Sequence, residues 1–225
     1  MIATDAAADA FAVISSVAVP HAFAAVEDAY ETAMIAEVGA LCRHIPHRDL
    51  CIQLDLCNEM CIWDGQKTEA VPYGDEPQER ILGRMQRLCT AVPDDVELEL
   101  HLCYGDFGAR HFVEPRDAGK MVDFADAMTK AISHPLAYIH VPVPMSRTDD
   151  AFHRPLKELS LAAGTKLFLG LVHAADGVEG ARNRIAAASP YAPPFGIATE
   201  CGMARARSEQ TVRKLLQIHA DVLAG

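Results

Sequence analysis

Positive charge is scarce in this chain of 225 residues. Its 20 lysines and arginines stand against 31 aspartates and glutamates, a formal balance of −11. Proteins that grip phosphate backbones carry a basic patch, and no basic run relieves the deficit here, so nucleic acid is not an expected partner. Long apolar runs are missing too. No stretch reaches the roughly 20 residues that span a bilayer, and Met1 to Ala12 lacks the basic start and long apolar stretch of a secretory signal. A cytoplasmic protein without a membrane partner is the expectation. Linkers rich in proline, glycine or serine, internal repeats and low-complexity tracts are also absent, which makes residues 1–225 one domain. The seven cysteines, at 42, 51, 57, 61, 89, 103 and 201, form neither an even set nor the dense framework of a small secreted fold. Reduced thiols follow, with Cys42 and Cys89 in helical patterns as core fillers.

What the chain does have is a hydrophobic half and a regular alternation. Apolar, β-branched runs at Leu50 to Leu56, Val96 to Cys103, Ala137 to Val143, Leu167 to His173 and Phe195 to Cys201 read as strands buried on both faces. Between them Ala22 to His44, Glu76 to Ala91, Pro115 to Ile132, Asp149 to Ala162, Gly177 to Ala188 and Ser208 to Leu223 carry helical spacing. Strand and helix in turn predict a parallel sheet with right-handed crossovers, either doubly wound or closed into a (β/α)8 barrel. Phe11 to Val19 offers a sixth extended segment. A barrel takes eight strands and about 250 residues, so this pattern is short by two or three units.

Chemistry concentrates at strand ends. His101 and Cys103 lie two apart, on one face of a strand, with Cα atoms about 6.5–7 Å from each other. An imidazole and a thiolate so placed can converge on one zinc ion, and Gly105 lets the chain turn away. A merely buried histidine beside a buried cysteine would have the same spacing. Cys201 closes the last strand, and parallel α/β folds gather their ligands at the C-terminal ends of strands, on one rim. His140 and His173 end two further strands there, each able to complete a tetrahedral site or touch substrate. Glu200 should point away from Cys201 by strand alternation. In the first long strand Gln53 and Asp55 form a polar face leading to Asn58 and Glu59. Buried acids cost free energy unless paired or used, so Asp55 is a candidate to hold an ammonium group or orient a ligand. Cys51, Cys57 and Cys61 lack a histidine or a paired CxxC and read as packing, while His44 and His47 fit an exposed loop.

These segments resemble a known family. His101-Leu102-Cys103-Tyr104 is similar to the His-x-Cys-Tyr zinc segment of cobalamin-independent methionine synthases. Glu200-Cys201-Gly202 resembles their Asp-Cys-Gly, and Ile52-Gln53-Leu54-Asp55 their Ile-Gln-x-Asp strand. The likeness runs from about Tyr30 to the C-terminus. It implies the C-terminal five or six strand–helix units of a TIM-barrel-like (β/α)8 fold, with His101, Cys103 and Cys201 as zinc ligands. It also implies a transferase that activates a thiol as zinc-bound thiolate for attack on a methyl or alkyl donor. The family's glutamate ligand is replaced, and His140 is the nearest substitute; where the family has Glu-Pro after its Ile-Gln-x-Asp strand, this chain has Leu56-Cys57-Asn58-Glu59. The N-terminal half that helps bind folate is lacking, which points to another thiol or donor. A zinc lyase or hydrolase using Asp55, Glu59 or His173 as base is the alternative enzyme, and a non-catalytic subunit or remnant the alternative class. The missing strands are expected from a second polypeptide or from a second copy of the chain.

Overall fold

The computed structural model describes residues 2–3, 23–65, 76–105, 111–205 and 207–224. The extended segment expected over Phe11 to Val19 lies outside them. Six strands form one parallel sheet: β1 (Ile2–Ala3), β2 (Cys51–Leu56), β3 (Glu97–Leu102), β4 (Leu136–Pro142), β5 (Lys166–Val172) and β6 (Phe195–Thr199). Each strand pairs with its neighbour in sequence, in the order β1-β2-β3-β4-β5-β6. In a doubly wound sheet the strand order reverses partway, and the consecutive order here shows no such reversal. The architecture is α/β and consistent with part of a TIM-barrel-like fold.

Among the described residues six α-helices lie between the strands, α1 (Phe23–His44), α2 (Cys57–Trp63), α3 (Pro77–Thr90), α4 (Gly119–Ala131), α5 (Asp150–His153) and α6 (Gly177–Ala188), and α7 (Glu209–Leu223) follows the last one. Their starts follow ordinary capping chemistry. Ser208 accepts the Thr211 N–H and Asp149 accepts the Phe152 N–H, each satisfying an N–H that the first helical turn leaves open. The helix expected over Asp149 to Ala162 stops at His153 and continues as a 3-10 turn over Arg154–Glu158. Pro155 has no N–H to give and its ring crowds the preceding turn. Sequence periodicity also missed α2, which begins at Cys57 where β2 ends, so Asn58 and Glu59 belong to a helix and not to a strand end.

The period of two divides each strand between two environments. Ile52, Leu54 and Leu56, Leu98, Leu100 and Leu102, Ile139 and Val141, and Leu167, Leu169 and Leu171 are all at most 3% exposed and join one core. That core includes Ile81, Met85 and Cys89 of α3 and Met121, Phe124 and Met128 of α4. Burying each such side chain contributes about 1.5–3 kcal/mol, and this layer fixes the register. The alternate residues Gln53, Asp55, His101, Tyr138, His140 and Phe168 line a cavity on the other face. Cys42 and Cys89 sit buried in α1 and α3, as their helical spacing implied.

Candidate metal centre

Register carries the chemistry across the sheet. Asp55 pairs with His101 and His101 with His140, so three polar residues share one row of the cavity face. Two residues further on, Cys103 follows His101 at the strand's end, and Cys201 follows β6. One donor atom from each of His101, Cys103 and Cys201 lies within 4.8 Å of the others. His101 Nε2 is 3.4 Å from Cys201 Sγ, and the two sulfurs are 3.4 Å apart. All three residues are buried. Gly105, at φ +99°, turns the chain and sends its N–H to Cys103 Sγ at 3.2 Å. Phe112 packs where a Cβ at Gly105 would stand, 2.6 Å away, so the turn tolerates no side chain.

Both sulfurs are thiols at neutral pH. The hydrogen bond with Cys201 favours ionisation of Cys103, but the hydrogen bond to Cys57 and burial override it and push its pKa well up. For Cys201 the hydrogen bond with Cys103 and then burial act in the same upward direction. A divalent cation reverses this balance, since a metal-bound thiol is deprotonated outright. Two sulfurs and one imidazole nitrogen within mutual reach form a donor set suited to zinc. Cys57, read from sequence as packing, is turned by α2 against Cys103.

His140 stands behind this group. Its Nδ1 is 2.7 Å from His101 Nδ1, and the two rings stack with centroids 4.5 Å apart. Burial and then the proximity of His101 hold its pKa well below the usual range, so it is neutral. The facing nitrogens share one proton between them. With His101 Nε2 turned to the sulfurs, its Nδ1–H donates to His140 Nδ1, and the His140 proton then sits on Nε2. That Nε2 is aimed toward the Thr199 carbonyl but makes no fully formed hydrogen bond among the described residues. Gly170 makes room for it, because a Cβ there would come within 2.6 Å of Nε2 and 2.8 Å of the Thr199 carbonyl oxygen. His140 therefore touches His101 and not the sulfurs in this arrangement.

The remaining candidates are dispersed. Asp55 lines the cavity, and its Oδ1 accepts from Gln53 Nε2 at 2.7 Å. Glu59 lies in α2 beside Tyr30 and is not among the cavity residues; burial pushes its carboxyl pKa up. His173 donates through Nε2 to the Val143 carbonyl at 2.9 Å, and its Nδ1 lies 3.5 Å from Glu200. Glu200 indeed turns from Cys201, toward His173 and toward His111 Nε2 at 2.9 Å. Burial opposes the cationic form of His111, but Glu200 and then Glu114 outweigh it and lift its pKa to about 9. His111 sits in a loop without periodicity, and nothing in the sequence marks it. Tyr138 could have been found, two residues before His140 on the same face; its hydroxyl donates to Gln53 Oε1 at 3.2 Å. His47 is not free in solvent as expected, since its ring bonds Asp95 and the Cys42 carbonyl, whereas His44 is exposed.

Comparison with solved structures agrees with the fold. The chain is similar to a putative vitamin B12-independent methionine synthase from Listeria monocytogenes, with a TM-score of 0.54 and 17% identity over 86% of this chain and 54% of that one. It is also similar to a B12-independent methionine synthase from a Shewanella species, solved with selenomethionine, with a TM-score of 0.50 and 16% identity over 77% and 47%. The chain thus spans about half the length of the structures it matches. No family model and no curated protein sequence matches. At these identities the likeness establishes the fold, a partial methionine-synthase-like α/β sheet.

Proposed function

We propose that this chain is a zinc-dependent methyl- or alkyl-transferase acting on a thiol substrate. The observation that supports it is the convergence of His101, Cys103 and Cys201 within 4.8 Å at the C-terminal ends of strands, beside a cavity of about 370 Å³. His101, Cys103 and Cys201 would hold the ion, and His140 would orient His101 from behind, which moves it from ligand to positioning residue. When bound, zinc supplies Lewis acidity that lowers the pKa of an incoming thiol into the neutral range. The rest falls to the chain's own groups. Asp55, fixed by Gln53, is placed to hold an ammonium group of the substrate, and Phe168 and Ile197 give the same cavity an apolar wall. His173 stays neutral at pH 7, because burial lowers its pKa despite Glu200, so its ring can accept a proton near the rim.

The same reading includes association. Among the described residues β1 and β6 are the outer strands of the sheet, and a separate polypeptide or a second copy would supply further strands beside them. Among the described residues no helix is long and apolar enough to cross a membrane.

Metal analysis of the purified chain and of a Cys103→Ser/Cys201→Ser variant tests the centre. One zinc equivalent should disappear in the variant, together with methyl or alkyl transfer to small thiols. Unchanged zinc content in the folded double variant would refute the site. Native mass measurement tests the association; an active monomer of 24.4 kDa would end that part.

A further inference from the structure

The cavity face of the sheet carries a second group of donors, at the opposite end of the strands. Cys51 opens β2 and Glu97 opens β3, and the two are register partners. Glu99 follows Glu97 on the same face. One ligand atom from each of the three lies within 4.8 Å of the others. Glu97 and Cys103 are six residues apart on one strand, about 20 Å, so this group is separate from the rim.

Acidic residues gather on many protein surfaces without consequence, but Glu99 is not on the surface. It is 5% exposed, and its Oε2 has no hydrogen-bond partner among the described residues. No lysine, arginine or histidine among the described residues forms an ion pair with Glu97 or Glu99. The Tyr138 hydroxyl and the Cys51 thiol, both uncharged at neutral pH, hydrogen-bond to the Glu99 carboxylate but leave Oε2 without a donor. A buried carboxylate oxygen without a donor, beside a second carboxylate and a thiol and with no side-chain cation among the described residues paired to it, is costly to leave so.

We propose that Cys51, Glu97 and Glu99 form a second metal site, which takes a divalent transition ion of borderline softness, of the zinc or cobalt class. One thiolate and two carboxylates suit that class better than magnesium or calcium, which take oxygen alone. Loading displaces one proton, from the Cys51 thiol to solvent, and leaves three negative ligands on a doubly charged ion. The place assigns its role. Residues at the N-terminal face of such a sheet serve stability, so an ion there ties β2 to β3 and offsets the burial of Glu99. The site is independent of the transferase reading.

Cobalt(II) titration of the metal-free full chain tests this, followed by absorption and by thermal melting. The wild type should bind two equivalents, Cys51→Ser/Glu99→Gln one, Cys103→Ser/Cys201→Ser one, and the fourfold variant none. In Cys103→Ser/Cys201→Ser the remaining cobalt should keep a thiolate charge-transfer band, supplied by Cys51. Glu99→Gln alone keeps the shape of the side chain and removes one carboxylate ligand, so it should lose the part of the metal-induced rise in melting temperature that Cys103→Ser/Cys201→Ser retains. Equal cobalt stoichiometry in wild type and Cys51→Ser/Glu99→Gln would overturn the proposal, as would a residual ion without the thiolate band. Failure of the rim site instead would show as one equivalent that survives Cys103→Ser/Cys201→Ser and vanishes in Cys51→Ser/Glu99→Gln.

Discussion

Two buried polar groups stand near the C-terminal ends of the strands, and their hydrogen bonding differs. Arg184 of α6 is fully buried, and its guanidinium is nearly saturated. Nε donates to the Leu171 carbonyl at 2.8 Å, Nη1 to the Met145 carbonyl at 2.7 Å, and both Nη atoms to the Asp176 carboxylate at 2.6 and 2.9 Å. It braces the end of β5 to the loop after β4. The His101–His140 pair, one strand away, is left less complete: among the described residues Nε2 of His140 makes no full hydrogen bond, and His101 Nε2 and Cys103 Sγ each lie 3.4 Å from Cys201 Sγ. A saturated network holds a fold in place, and an unsaturated one keeps capacity for something further. The first reads as a structural brace and the second as the candidate site, although both are buried polar clusters at the same end of the sheet.

Arg184→Met should break the brace and give the largest effect. It leaves two carbonyls and a carboxylate without their donor, and removing one partner of a buried pair costs about 3–5 kcal/mol. Urea unfolding measures it. A loss below about 1 kcal/mol would put the brace on a par with an ordinary surface pair.

The next effect is a pH dependence. His111 reaches a pKa of about 9 in the fold against 6.5 for the unconstrained ring. Because the folded value is the higher, its contribution is complete below pH 6.5 and is lost as pH rises through 9. The shift corresponds to at most about 3 kcal/mol. Denaturation between these limits should show the decline in wild type and a flatter profile in His111→Gln. Equal slopes in the two proteins would remove His111 from the rim's electrostatics.

Gly170→Ala is expected to cost about 1–3 kcal/mol, the range for overpacking a filled interior. Its Cβ would stand 2.6 Å from His140 Nε2 and 2.8 Å from both Thr199 O and Glu200 Cα. The last two are backbone and cannot step aside. A crystal structure of the variant should show the His140 ring displaced from His101; an unmoved ring with unchanged stability would contradict the packing.

The contrast between brace and site was only partly visible in the sequence. Strand alternation and the C-terminal-end rule carried His101, Cys103 and Cys201 to one rim, since a period of two fixes which residues share a face. The same rule turned Glu200 away correctly but could not give it His111, which arrives from a loop with no period. It placed His140 on the right face without saying which ring nitrogen looks where, because that depends on the space Gly170 leaves on the next strand. Arg184 lay within a helix whose periodicity was clear, yet helical spacing does not reveal that a guanidinium is buried against carbonyls of distant loops. Asn58 and Glu59 were read at a strand end because an apolar strand running directly into a helix, without a turn residue, gives no local signal of the change.

The finest test separates the two kinds of cluster by one substitution. His140→Phe keeps an aromatic ring stacked on His101 and removes two nitrogens, one of them the poorly bonded Nε2. The loss of that atom favours the fold, and the loss of the 2.7 Å contact to His101 Nδ1 opposes it, so the two changes nearly cancel. Stability should move by less than about 1 kcal/mol, in contrast to Arg184→Met. Metal affinity should behave differently. Without its partner His101 loses the hydrogen bond that sets its tautomer and ring angle, and removing such outer partners lowers affinity roughly 10- to 100-fold. Competition with a chelator reads the affinity, and urea unfolding of the metal-free variant reads the stability. If stability fell as steeply as for Arg184→Met while affinity held, His140 would belong with the brace, and the distinction between the two clusters would collapse.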